Sequence, residues 1–164
     1  MRTLLLVRHA TAASGSPDMA RILTAQGRAE AADIARCLAP LLSRPTIILS
    51  SPAARTLETA QAVRGLAPPA AELRVVSNLY LAAPDILLDT VMAEGGDAEN
   101  IVLVAHNPGI GQLAFDLGGG HHPHIARGFT PATVALFDCT IDNWMDIAPA
   151  RTALRHALAP FEQP

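Results

Sequence analysis

The chain contains no lysine: all 12 of its positive side chains are arginine. Any anion-binding site therefore has planar guanidinium forks to work with, not ammonium point charges. Cysteine is nearly absent as well. Cys37 and Cys139 stand alone, with no C-x-x-C pair and no histidine at ligand spacing. That pattern excludes a disulfide framework and predicts two reduced, buried thiols. A formal net charge of -3 leaves no basic footprint, which argues against a nucleic-acid partner. Long apolar runs are missing too. The opening run, residues 4–7, is far too short for a signal-peptide core or a membrane span, so the reading is a cytoplasmic, monomeric protein without a membrane partner. Internal repeats, linkers and long charge runs are also absent. At 164 residues and 50% hydrophobic, the chain suits one domain over 1–164.

What is present is an alternation. Short runs rich in Leu, Val and Ile occur at residues 3–7, 46–50 and 101–105, with a weaker one at 73–76. Segments of helical spacing lie between and after them, at 24–39, 52–63, 84–93 and 108–117. Buried strands alternating with helices predict an α/β domain with a mostly parallel sheet. Residues 133–139 and 141–147 read as neighbouring strands with no helix between them, which predicts an antiparallel edge. Thr24 is a candidate N-cap for the first helix and Pro40 its stop; Ser51 before Pro52 and Asn107 before Pro108 read as N-caps with proline at the first helical position. "GGGHHPH", residues 118–124, reads as a flexible loop.

The carboxyl ends of parallel strands lie along one edge, and ligands collect there. The first strand ends in Arg8 and His9, the second leads through Ser51 to Arg55 one turn into its helix, and the fourth ends in His106 and Asn107. Two arginines and two histidines meeting at helix starts suit a phosphoryl group. A neutral histidine attacks phosphorus through one ring nitrogen while the other is held by a hydrogen bond. His9 is the candidate nucleophile, with Arg8, Arg55 and His106 gripping the equatorial oxygens and Asn107 beside them. Asp18 and Arg21, in the loop after the first strand, are further candidates for phosphate contact or proton transfer. This chemistry needs no metal and no other cofactor.

These residues sit in motifs that resemble the histidine phosphatase superfamily, also called the phosphoglycerate mutase-like fold. "VRHATA" at 7–12 matches its Arg-His-Gly signature, with Ala10 where glycine is usual; "SSPAARTLETA" at 50–60 matches its second arginine segment, and "VAHNPGI" at 104–110 its second histidine. "RILTAQGRAEA" and "LYLAAPDILLDTV" make the chain most similar to the short, SixA-like phosphohistidine phosphatase branch. The resemblance implies a three-layer α/β/α sandwich without large helical insertions. It also implies a phosphohistidine intermediate on His9, with Arg8, Arg55 and His106 completing the pocket.

Ester-cleaving members carry a Glu or Asp general acid just before a leucine where this chain reads "VSNLY" and offers Asn78. Asn donates no proton, and an alkoxide leaves badly without one, a deficit of roughly 10²–10⁴-fold. An imidazole leaving group can be protonated beforehand. The expected substrate is therefore phosphohistidine on a signalling protein, the alternatives being a small phosphate ester or a non-catalytic phosphate-binding module. Glu58 reads as a solvated helix residue before an acid. "GIGQLA" at 109–114 mimics a dinucleotide fingerprint but lacks the acidic residue about 20 positions on, and His121, His122 and His124 lack a fixed ligand partner for zinc.

Overall fold

Leu4, Leu5, Leu6 and Val7 have no solvent exposure, because their strand, β1 (Arg2–Arg8), lies inside the sheet with helices on both faces. The computed structural model describes residues 1–159. After β1 come α1 (Ala25–Leu38), β2 (Thr46–Ser50), α2 (Ala54–Leu66), β3 (Glu72–Val75), α3 (Pro84–Glu94) and β4 (Asn100–Ala105). Then follow α4 (Gly109–Ala114), α5 (Pro123–Ala126), β5 (Val134–Cys139) and β6 (Thr152–Leu158). The strands form one six-stranded sheet in the order β3-β2-β4-β1-β5-β6. The first four run parallel, while β5 is antiparallel to β1 and β6 antiparallel to β5.

Alternation along the strands divides the core. Leu4, Leu6, Leu49 and Leu103 pack with Leu87 and Val91 of α3 and Ile110 and Leu113 of α4. Leu5, Val7, Ile48 and Val104 pack with Ile34 and Leu38 of α1 and Ala60 and Val63 of α2. The result is the three-layer sandwich expected from the motifs. In α1 the buried positions 27, 30, 31, 34, 35 and 38 follow helical spacing, and the Thr24 hydroxyl accepts a hydrogen bond from the Gly27 amide at 2.9 Å as its N-cap. Among the described residues no helix is long and apolar enough to cross a membrane.

Several expectations need correction. Residues 141–147 are not a strand. Ile141, Trp144 and Ile147 are the buried ones, a spacing of three, and Trp144–Asp146 is a 3-10 turn. The Asn143 side chain caps that turn through the Met145 amide, and the Trp144 indole donates to the Ala98 carbonyl at 2.7 Å. The strand beside β5 is β6, whose edge position leaves Arg155 and His156 exposed and blurs the apolar alternation. Cys37 is exposed, on the solvent side of α1 between Ala35 and Leu38; only Cys139 is buried, and burial pushes its thiol up to about 11. Two expected N-caps are also replaced: α2 starts after Ala53 and α4 after Pro108, neither with a side-chain cap bond, and the Ser51 hydroxyl instead pairs with the His106 ring. The helix expected over 108–117 stops at Ala114 and gives way to a π-turn, Phe115–Gly119. Part of the 118–124 loop is helical, with Pro123 opening α5 and the His122 ring accepting from the His124 amide.

Candidate active site

Sheet register brings the two histidines together. Arg8 pairs with Ala105 across β1 and β4, and the His9 amide donates to the Ala105 carbonyl at 3.1 Å, so His9 and His106 leave adjacent strands side by side. Their ring centroids are 5.3 Å apart. On the other flank of β4 the Ser51 amide bonds the Val104 carbonyl, and from the second residue of α2 the Arg55 guanidinium reaches back between the rings. Its Nε donates to His9 Nε2 at 3.3 Å and its Nη2 to His106 Nδ1 at 3.2 Å.

These contacts assign the tautomers. His9 Nδ1 lies 2.8 Å from the Ala10 carbonyl, which can only accept, so Nδ1 carries the proton and Nε2 presents a lone pair to the pocket. Arg55 can only donate, so His106 Nδ1 is unprotonated and its Nε2–H donates to the Ser51 hydroxyl at 2.7 Å. Burial, then the surrounding guanidinium groups, with Arg55 foremost, lower His9 to about 4 against the pull of the Ala10 carbonyl. Burial and Arg55 lower His106 to about 3. Both rings are neutral at pH 7, and His9 has the form a nucleophile needs.

Arg8 donates through Nη1 to the Phe129 carbonyl, as does the Asn107 amide, each at 2.7 Å. Arg8 Nε and Asn107 Oδ1 are buried with no hydrogen-bond partner. A buried donor left unmade costs about 1–3 kcal/mol, so the Arg8 Nε–H is a standing demand for an acceptor such as an anionic oxygen. All seven candidates from the sequence, Arg8, His9, Asp18, Arg21, Arg55, His106 and Asn107, line one cavity of about 250 Å³, together with Leu81. The floor is cationic and nearly dry, with Arg55 3% and His106 2% exposed.

Asp18 has a definite state. Its Oδ2 accepts from the Tyr80 hydroxyl at 2.5 Å and from Arg55 Nη2 at 3.0 Å, and its Oδ1 from Arg21 Nη1 at 2.8 Å. The Tyr80 hydroxyl first, then Arg21 and Arg55, hold this carboxyl well below the usual carboxylate range. It is ionised at any working pH and has no proton to give. Arg21 is committed to Asp18 and, through Nε, to the Ala13 carbonyl at 2.7 Å.

Similarity to known proteins agrees with this geometry. Residues 4–79 match the family described as histidine phosphatase superfamily, branch 1. The assigned phosphohistidine phosphatase SixA of Agrobacterium tumefaciens is 30% identical, with 97% of this chain and 99% of that one covered and a TM-score of 0.79. The chain belongs to the histidine phosphatase superfamily. Its counterpart from Nakamurella multipartitia is 29% identical, covering 98% and 97% of the two chains at a TM-score of 0.84. A protein histidine phosphatase SixA complexed with tungstate shares the fold at 22% identity, covering 96% and 97% at a TM-score of 0.71. No curated protein matches the sequence. Family membership makes the chain a phosphatase.

Within this superfamily frame other positions change meaning. Asn78 does not face the leaving group: it is exposed in a 3-10 turn, and its Oδ1 accepts from Thr90 Oγ1 at 3.4 Å. Glu58 is half-buried and also anchors a loop, its Oε1 accepting from the Leu23 amide at 3.1 Å. Gly109 and Gly111 serve packing: a Cβ at Gly109 would stand 1.9 Å from the Ala82 carbonyl, and one at Gly111 would crowd Asn107 and Phe129. No three potential metal ligands gather among the described residues, and the rings of His122 and His124 face each other at 5.2 Å. Sequence reasoning missed Ser51, Tyr80 and Leu81, which lie beside the recognised motifs, and also the buried support of the loop after β1. There Glu30 accepts from the Thr11 amide at 2.8 Å and hydroxyl at 3.0 Å, while Thr59 Oγ1 accepts from the Ala10 amide at 3.1 Å.

Proposed function

We propose that the chain is a phosphohistidine phosphatase acting on a phosphorylated signalling protein. One observation carries this reading: the only carboxylate among the described residues lining the pocket, Asp18, is locked in its ionised form. An ester would leave as an alkoxide and requires a proton from an acid. A phosphohistidine ring protonated before cleavage leaves as neutral imidazole and requires none, its reference pKa being about 6.5. The likeness to SixA-type proteins supports the same substrate.

In this mechanism His9 Nε2 attacks phosphorus in line. The bond from phosphorus to the substrate nitrogen breaks, and its electron pair returns to the substrate ring. Arg55 and the unpaired Arg8 Nε–H carry the charge on the equatorial oxygens. Burial first and then guanidinium charge keep His106 neutral, and the incoming dianion offsets the second of these, favouring a protonated His106 as a further donor. Water then attacks the phosphorus on His9, the phosphorus–nitrogen bond breaks back to Nε2, and phosphate leaves.

The test compares phosphate release from a phosphohistidine-carrying phosphotransfer domain with release from a panel of small phosphate esters. The expected result is release from the phosphoprotein that His9→Ala abolishes, with esters slower by about 10²-fold or more. Equal or faster ester turnover would overturn the reading.

A further inference from the structure

The cavity changes character from floor to mouth. His9, Arg55 and His106 are buried, whereas the Asp18 side chain is 42% exposed and Leu81 56% exposed. A phosphoryl group held by the cationic floor and attacked by the buried His9 directs its leaving group outward, past an anionic oxygen and an apolar side chain.

Leu81 stands there in an unfavourable backbone state. Its φ is 50°, in the left-handed region where a leucine is an outlier and glycine is the ordinary occupant. Its neighbours hold it so: Tyr80 is tied through its hydroxyl to Asp18, and the Ala82 carbonyl lies against Gly109. A large side chain kept at a strained, exposed position on the rim of a polar pocket contributes little to the core. Asp18 offers the complementary feature. Its two oxygens have about four acceptor positions, and Tyr80, Arg55 and Arg21 take three. One position on Oδ1 remains.

We infer that Asp18 and Leu81 form a leaving-group subsite for a protonated imidazole ring, Asp18 accepting the ring N–H and Leu81 packing against the ring's carbons. This rests on the phosphohistidine reading and deepens it. The carboxylate stabilises the imidazolium form of the substrate, the form that departs as neutral imidazole when the phosphorus–nitrogen bond breaks. Asp18 is thereby a catalytic residue that keeps a proton on the substrate without supplying one. The charged and titratable groups facing it are Tyr80, Arg21 and Arg55, with Arg8, His9 and His106 on the floor below.

The experiment uses Asp18→Asn and Leu81→Gly in the full chain, with a phosphohistidine phosphotransfer domain, free phosphoramidate and a phosphate ester as substrates. Asp18→Asn removes a negative charge beside the anion site, so inhibition by inorganic phosphate should tighten. The same variant should lose about tenfold or more in kcat/KM on phosphohistidine, with the alkaline limb of its pH profile moved to lower pH. Tighter phosphate with slower phosphohistidine turnover is a pairing that misfolding does not produce. Leu81→Gly should match the wild type in Tm or exceed it, lose about tenfold on phosphohistidine and leave phosphoramidate, which has no ring, unchanged. Equal losses on all substrates, or an unmoved alkaline limb in Asp18→Asn, would sink the subsite while leaving the phosphohistidine reading intact. A wild-type enzyme that ignores phosphohistidine would instead overturn the reading beneath it.

Discussion

The sheet has a cavity at each end, and the larger is not the one where the titratable groups converge. At the amino ends of β2 and β3 a cleft of about 520 Å³ is walled largely by Leu42, Pro45, Ile47, Pro68 and Ala71. At the carboxyl ends the pocket measures about 250 Å³, yet it gathers three arginines, two histidines and a carboxylate. The large cleft has Arg44, Glu72 and Asp97 on its walls, but among the described residues these carry no converging set of directed bonds like the one around Arg55. Volume comes from how loops leave the sheet. Reactivity comes from polar groups forced to share a dry space, where each one changes its neighbours' protonation.

The sharpest way to break this contrast is at Arg55, which touches both histidines and Asp18. Arg55→Ala should lower phosphate release by about 10³-fold or more, measured as kcat/KM, while the fold persists in circular dichroism. Activity within tenfold of the wild type would mean that the pocket is not the reaction centre.

The next effect is on stability. His9 and His106 have folded-state values near 4 and 3, below their unfolded value of about 6.5. The unfolded chain therefore binds more protons as pH falls through that interval. Their contribution is complete above about pH 6.5 and is lost from there down to about pH 4 for His9 and about pH 3 for His106, at up to about 1.4 kcal/mol per pH unit for each histidine. Thermal midpoints recorded across this range should fall, and His106→Gln should flatten the slope. A profile unchanged by that substitution would show that His106 already protonates in the folded state.

The smallest effect belongs to the large cleft. Arg44 pairs with Glu99, both side chains 44% exposed, and Arg44→Ala should leave kcat/KM unchanged and cost at most about 1 kcal/mol of stability. A clear activity loss would give the large cleft a part in catalysis and erase the distinction between the ends.

Much of this was legible in residue order. The strand at residues 3–7 and the α1 segment were readable because complete burial or one-sided helical spacing writes itself into hydrophobic pattern. Strand β6 was not, since an edge strand with exposed Arg155 and His156 has no clear alternation, whereas residues 141–147 follow 133–139 with no helical segment between them. The seven pocket candidates were recognisable because they sit at strand ends, in the loop that follows one, or, for Arg55, in the first turn of the helix that follows one. Asn78 holds the motif position before a leucine, but motif position does not decide which side chain reaches the pocket, and it is Tyr80 that meets Asp18.

Sequence alone determined that an anion site must use arginine, because no lysine exists, and that the motif residues fall where parallel strands terminate. Tertiary structure decided the state of each group. Asp18 is a fixed anion only because Tyr80, 62 positions away, meets it with Arg21 and Arg55. His9 presents Nε2 only because the Ala10 carbonyl holds its other nitrogen. Protonation depends on distance and dehydration, and both are properties of the folded chain.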